Sequence, residues 1–194
     1  MKKLILFFVI ILGLPTTAQN KIEWHDGVVL TLKDFASNNS KIGNVSYASL
    51  HMQNGLRYGV EMNSLQFMLT KNFNTMVLVE FDPNASSIIA PSDDIALSLV
   101  NFANYQFNLS ELYARKLRKA LYDHKQFGSA ISYIQSIYDE VQKAYTERLN
   151  NASNLTNMGI EGDDIIRLNK EVLEEIASMP DFCKTCKIDK KQRL

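Results

Sequence analysis

The chain has 194 residues, of which 46% are hydrophobic, and its 21 basic side chains balance its 21 acidic ones. That balance argues against a general electrostatic affinity for nucleic acid or for an anionic membrane surface. Only four prolines, no low-complexity tract and no internal repeat argue against a disordered or solenoid chain.

The N-terminus reads as an export signal. Lys2 and Lys3 precede eleven almost wholly apolar residues, Leu4 to Leu14, whereas a membrane-spanning helix needs about twenty. Pro15 ends the run, and Thr16-Thr17-Ala18 supplies small residues for signal-peptidase cleavage after Ala18. No cysteine stands at that point, which argues against a lipid anchor, and the short Lys-Lys signal has a bacterial look. The mature chain is then exported, to the periplasm or the extracellular space, with 19 basic residues against 21 acidic and no stable transmembrane segment. Its length suits a single domain over 19–180, followed by a basic cysteine-containing tail over 181–194. Six Asn-x-Ser/Thr sequons, from the Asn38-Asn39-Ser40 frame to Asn154, are read as chance in an asparagine-rich chain.

Along the mature chain, β-prone segments come first. Val28 to Leu32 is short, and Ser37 to Lys41 is a polar loop. Val45 to Met52, Leu56 to Met62, Leu65 to Leu69 and Thr75 to Phe81 follow as strands, with Asn54-Gly55 predicting a tight hairpin turn between the first two. Val77, Val79 and Phe81 alternate with Met76, Leu78 and Glu80, the pattern of a strand with one buried face. An antiparallel meander is the simplest arrangement.

After Pro91 the period becomes helical. Ser92 followed by Asp93 and Asp94 predicts an N-cap, and Ile95, Leu99, Phe102, Gln106, Leu109, Tyr113 and Leu117 recur on one face. A second helix runs from about Ser129 to Leu149, with Ile131, Ile134, Tyr138, Val141 and Tyr145 inward. A third runs from about Asp163 to Ser178, with Ile165, Leu168, Val172 and Ile176 inward and Pro180 closing it. Strands first and helices after define an α+β chain.

The helix from Ser92 carries a resemblance. Phe107 and the segment Glu111-Leu-Tyr-Ala-Arg-Lys-Leu-Arg-Lys119 resemble the HExxHF…ElyARklRk helix of a family of mostly uncharacterised secreted zinc-dependent proteases, widespread in bacteria. Ile22-Glu23-Trp24, then Leu30-Thr31-Leu32-Lys33-Asp34-Phe35, is similar to that family's tryptophan and LtWxDF segments, with Leu32 in place of the second tryptophan. Phe81-Asp82-Pro83 to Ser87 is a weaker echo, so the resemblance spans roughly Ile22 to Leu121. It implies a zincin-like fold. In HExxH, two histidines at i and i+4 share one helical face and hold zinc, while the glutamate activates a metal-bound water. In this chain the first histidine position is Phe102, the glutamate position is Ala103 and the second histidine position is Gln106. A phenyl ring and a methyl group cannot do that chemistry, and a carboxamide does it poorly. The positions are vestigial, and the expected catalytic and metal-ligating set is empty.

No other site replaces it in the sequence. His25, His51 and His124 fall on three different elements without ligand spacing. Phe102 fits the apolar stripe of its helix, whereas Gln106 is either a hydrogen-bonded remnant lining a closed pocket or a residue tilted to solvent. Cys183-Lys184-Thr185-Cys186 is expected to form a small local disulfide in an exported chain, with free thiols or an intermolecular bridge as alternatives. The cluster from Arg115 to Lys119 is read as a solvated basic face near a helix end. No cofactor is implied. The expectation is a non-catalytic pseudo-protease that binds a protein or envelope partner. An active metal-dependent hydrolase with a rearranged site is the second reading, and an unrelated envelope protein with an amphipathic helix the third.

Overall fold

A computed structural model describes residues 21–59, 63–125, 133–161 and 164–188. The export segment with its cleavage point after Ala18, the helix positions Ser129, Ile131 and Asp163, and the end of the basic tail lie outside these residues. The chain is α+β, with small antiparallel and mixed sheets at the front and three long helices behind.

One helix organises the rest. Ser92 adopts an extended backbone and its hydroxyl accepts the amide of Ile95 at 3.4 Å, so the chain turns helical at Asp93. From there to His124 neither glycine nor proline interrupts it, and the helix runs for 32 residues, about 48 Å at 1.5 Å per residue. Buried side chains occur on every side of its middle turns, among them Leu99, Tyr105, Leu109, Leu112, Leu117 and Leu121. Such a helix is enclosed by the domain rather than laid on its surface.

The strands are β1 (Ile22–Glu23), β2 (Lys41–Ile42), β3 (Ser49–His51), β4 (Asn54–Tyr58), β5 (Val77–Phe81) and β6 (Ser87–Ala90). The helices are α1 (Ser64–Leu69), α2 (Asp93–His124), α3 (Tyr133–Thr156) and α4 (Asp164–Ala177). One sheet has the order β1-β5-β4, all antiparallel, and the other the order β2-β6-β3, in which β2 and β6 run parallel. Val77, Val79 and Phe81 of β5 are buried while Leu78 and Glu80 are half-buried, as the alternation predicts. Ile165, Val172 and Ile176 of α4 and Ile134 of α3 also face the core.

The connections between strands differ from a meander. Asn54-Gly55 is not a turn: Asn54 lies opposite Phe81 and Gly55 opposite Glu80 as the first residues of β4. Neither residue has the positive φ that a two-residue hairpin demands. The chain leaves β3, which pairs with β6, and crosses at Met52-Gln53 to the other sheet, so the two segments never face each other. Leu65 to Leu69 is helix rather than strand. Asn63 accepts the Gln66 amide at 2.9 Å, and Gln66 reaches back to the Asn63 amide at 3.1 Å, a reciprocal cap that outweighs the local β preference. Val28 to Leu32 makes no strand. Both main-chain groups of Leu30 bind the Asn104 amide of α2, and a short 3₁₀ turn follows over Leu32–Asp34.

The turn after α3 presses directly on α2. Asn157, Met158 and Gly159 all have positive φ, and the Gly159 amide donates to Thr156 Oγ1 at 3.0 Å. A Cβ at Gly159 would stand 2.8 Å from the Ser98 carbonyl oxygen and 3.3 Å from Phe102 Cβ. Glycine is required there both for its backbone conformation and for the close approach. Gly159→Ala is therefore expected to lower unfolding free energy by about 2 kcal/mol, read from urea denaturation.

Candidate functional site

The three motif positions are closed off. Phe102 is 4% exposed and Ala103 fully buried, with the Phe102 ring 6.0 Å from that of Tyr105. Gln106 is half-buried, and its Nε2 donates to Asn54 Oδ1 at 3.0 Å. Asn54 in turn donates to Ser110 Oγ at 2.9 Å, and that hydroxyl donates to the Gln106 carbonyl at 3.0 Å. Gln106 thus ties the start of β4 to α2. His25 is exposed before α2, His51 sits on β3, and His124 ends α2 with Nδ1 2.9 Å from the Ala120 carbonyl. Among the described residues no group of three His, Cys, Asp or Glu side chains is placed to hold a metal ion.

The segment after the motif behaves unlike a solvated basic face. Glu111, Arg115 and Arg118 stand at i, i+4 and i+7, one face of the helix, and that face is covered. Arg115 Nε and Arg118 Nη1 each donate to Glu111 Oε1 at 2.9 Å. Arg115 Nη1 also reaches the carbonyls of Ile176 (3.0 Å) and Met179 (3.2 Å) beyond the middle of α4. Arg118 donates to Val77 O of β5 at 2.7 Å and to Phe182 O at 2.9 Å. Arg118 is only 1% exposed, and burial pulls its guanidinium below the usual arginine range despite the Glu111 charge. Only Lys119 of the cluster is exposed; it pairs with Asp123, and Lys116 pairs with Glu175 at 3.2 Å.

The covered face is closed by the C-terminal segment. Cys183 and Cys186 are bonded, and the loop they form is held from three sides. Asn74 donates to the Cys186 carbonyl at 3.0 Å, Arg118 holds Phe182, and Lys184 pairs with Glu23 at 2.6 Å.

Trp24 sits where these parts meet. Its Nε1 donates to Asn108 Oδ1 at 2.8 Å, and Asn108 donates onward to Asn169 of α4 at 2.9 Å. The Arg115 guanidinium lies 5.6 Å from the indole ring. A hollow opens on each side of the ring. One, of about 190 Å³, lies between residues 23–26, α2 and the disulfide loop, and Glu111, Arg115 and Arg118 line it. The other, of about 430 Å³, runs between α2 and α4 over Asn101, Asn104, Asn108 and Asn169, with exposed Val29 and Ile166 on its rim. A third hollow of about 430 Å³ is lined by Lys21, Arg57, Glu80 and Asp82; there Glu80 already pairs with Lys21 and Arg57.

A second charged group links the helices at the back. Glu175 of α4 takes Arg148 of α3 at 2.6 Å and Lys116 of α2 at 3.2 Å. Burial works against its charge, but the hydrogen bonds from Arg148 and Lys116 hold its carboxyl below the ordinary value of 4.5. Burial pushes the Tyr105 and Tyr113 hydroxyls beside this group upward. The Tyr105 hydroxyl is buried without a hydrogen bond of ordinary geometry, close to Arg148.

Sequence reasoning missed Arg115, Trp24 and Glu111 as site residues. A signal was present: Glu111, Arg115 and Arg118 recur at helical spacing, apart from Lys116 and Lys119, within a stretch that also carries Leu109, Leu112, Ala114 and Leu117. No protein-family model, curated protein or solved structure matches this chain.

Two outcomes follow for the charged groups. Glu111→Gln leaves two buried guanidiniums without their carboxylate and should cost about 3–5 kcal/mol in urea denaturation. Glu175 has a depressed carboxyl pKa, so its contribution is present at neutral pH and is lost as pH falls below about 4.5 through the lower folded value. Glu175→Gln should therefore lower the urea midpoint at pH 7, and the gap to wild type should shrink as the acid side is approached.

Proposed function

We propose that this protein is an exported, non-catalytic binding protein built on a scaffold akin to that of the secreted zinc-dependent proteases it resembles. The reading rests on one observation. The positions where that resemblance calls for a zinc ligand and a general base, Phe102 and Ala103, are apolar and packed in the core, and Gln106 is spent on Asn54. Export rests on Lys2 to Ala18, and the periplasm or the extracellular space is the proposed compartment. Among the described residues no helix is long and apolar enough to cross a membrane. What the protein offers a ligand is the surface around Trp24, where an aromatic ring, amides and a guanidinium border open hollows. A protein or envelope partner is the proposed target class.

The test is bound metal and hydrolysis in the protein purified after removal of residues 1–18. Elemental analysis should find far less than one zinc per chain, and unfolded casein should survive incubation with and without a chelator. One zinc per chain together with chelator-sensitive cleavage would overturn this reading in favour of a hydrolase with a rearranged site.

A further inference from the structure

The buried charges beside Trp24 do not sum to zero. Glu111 contributes one negative charge against the two positive charges of Arg115 and Arg118, all three being nearly inaccessible to solvent. A desolvated guanidinium without its own anion is costly, so an excess of one positive charge calls for a carboxylate from elsewhere. Arg118 spends both terminal nitrogens on Glu111, Phe182 and Val77. Arg115 spends Nε on Glu111 and Nη1 on two carbonyls. Its Nη2 makes no hydrogen bond among the described residues. The anion it faces is Asp26, whose Oδ1 stands 3.7 Å away on a side chain that is 87% exposed. At that distance and exposure Asp26 is a loose partner that water or another anion can displace.

We propose that the pocket between Trp24 and the Cys183–Cys186 loop binds the carboxylate of a small or chain-terminal acid. Arg115 Nη2 takes the anion, the Trp24 ring packs against the body of the ligand, and Asp26 occupies the place until the ligand arrives. The proposal rests on the binding role given above and names its ligand class. Size and charge select that class. A volume of about 190 Å³ falls below the roughly 300–1,000 Å³ that drug-sized ligands occupy. The uncompensated charge is a single one, which matches a monoanion. A phosphate dianion would find no second unpaired cation, because the other two that line the pocket, Arg118 and Lys184, are already paired with Glu111 and Glu23. The disulfide loop gives the pocket a fixed wall, because Arg118, Asn74 and the Lys184–Glu23 pair all anchor it.

Trp24 is the single tryptophan of the chain, so its fluorescence reports on ligands bound beside its ring. Loss of the response in an Arg115 variant assigns it to this pocket, because Arg115 lines this hollow and not the larger one. The full mature protein is titrated with N-acetylalanine, with propionate, with N-acetylalaninamide and with inorganic phosphate. N-acetylalanine should change Trp24 emission saturably, whereas the amide, identical but for the charge, should not, and phosphate should bind more weakly. Tighter binding of N-acetylalanine than of propionate assigns the site to chain termini, and equal binding assigns it to free acids. Asp26→Asn removes the competing carboxylate at a solvent-exposed position and should tighten N-acetylalanine binding by about threefold, the size of an exposed ion pair. Arg115→Gln should abolish the response; because Arg115 also anchors α4, the Asp26 variant decides the matter if that protein does not fold.

Equal responses to acid and amide, no saturable response, or an unchanged affinity in Asp26→Asn would each overturn the proposal. Those results would leave the non-catalytic reading intact. Zinc-dependent proteolysis would do the reverse, removing that reading while the carboxylate response stood.

Discussion

Two guanidinium groups and one carboxylate share the interior between α2, β5 and the C-terminal segment, and the fold depends on that arrangement. Burying three charges costs several kcal/mol for each ion, which is offset only when every polar atom finds a partner in good geometry. Arg115 and Arg118 meet most of this condition by holding main-chain carbonyls: Val77 on the sheet, Ile176 and Met179 at the end of α4, and Phe182 before the disulfide. Among the described residues Arg118 Nε is left without a hydrogen bond, and Arg115 Nη2 has only its loose contact with Asp26. These carbonyls belong to segments distant in sequence, and each would otherwise need water or another donor. The ionic cluster therefore acts as a set of fixed brackets. It joins a helix, a strand and a tail that also pack through apolar groups, Phe107 against Phe81 and Tyr122 against Phe182.

The same geometry explains why α2 can be enclosed on all sides. Toward the N-terminal half it offers apolar groups, with Phe102 beneath Gly159 and Leu99 and Ala103 in the core. At its middle, amides take over, and Asn104 holds Leu30, Gln106 holds Asn54, and Asn108 holds Trp24. Toward the C-terminal half the arginines take over in turn. Each polar residue on the helix is matched to a particular group on another segment, and this fixes the register of the surrounding chain more strictly than apolar contact would. Trp24 profits from this. Its indole nitrogen is held by Asn108 while its ring stays at the border between two hollows.

Much of the secondary structure was legible because its causes are local. The Ser92 cap, the paired aspartates after it and the heptad-like recurrence of Leu99, Phe102 and Leu109 lie within a few residues of one another, as do the inward positions of α4. The alternation of Val77, Val79 and Phe81 is likewise a property of one strand. The misreadings have the opposite character. Asn54-Gly55 has a hairpin composition, but β3 and β4 find partners in β6 and β5, and the turn is never needed. Leu65 to Leu69 is β-prone residue by residue, yet the Asn63 and Gln66 side chains close a cap around its first turn. The basic cluster was misjudged because charge run and solvent face usually coincide, and here the covering segment comes from about sixty residues further on.

The sequence by itself determined the α+β order of elements, the helix that starts after Ser92 and the apolar chemistry of positions 102 and 103. Those properties follow from composition and spacing along one segment, and no packing can alter a side chain's chemistry. Only the tertiary structure decided that Arg115 and Arg118 are interior, that Gln106 is tied to Asn54, and that Trp24 stands between two hollows. Burial is not a property of a residue but of what the rest of the chain lays over it. For Arg115 that cover comes from Ile176 and Met179, 61 and 64 residues away. The arrangement of one Arg115 guanidinium edge facing the exposed Asp26 carboxylate exists only once those distant segments have closed around it.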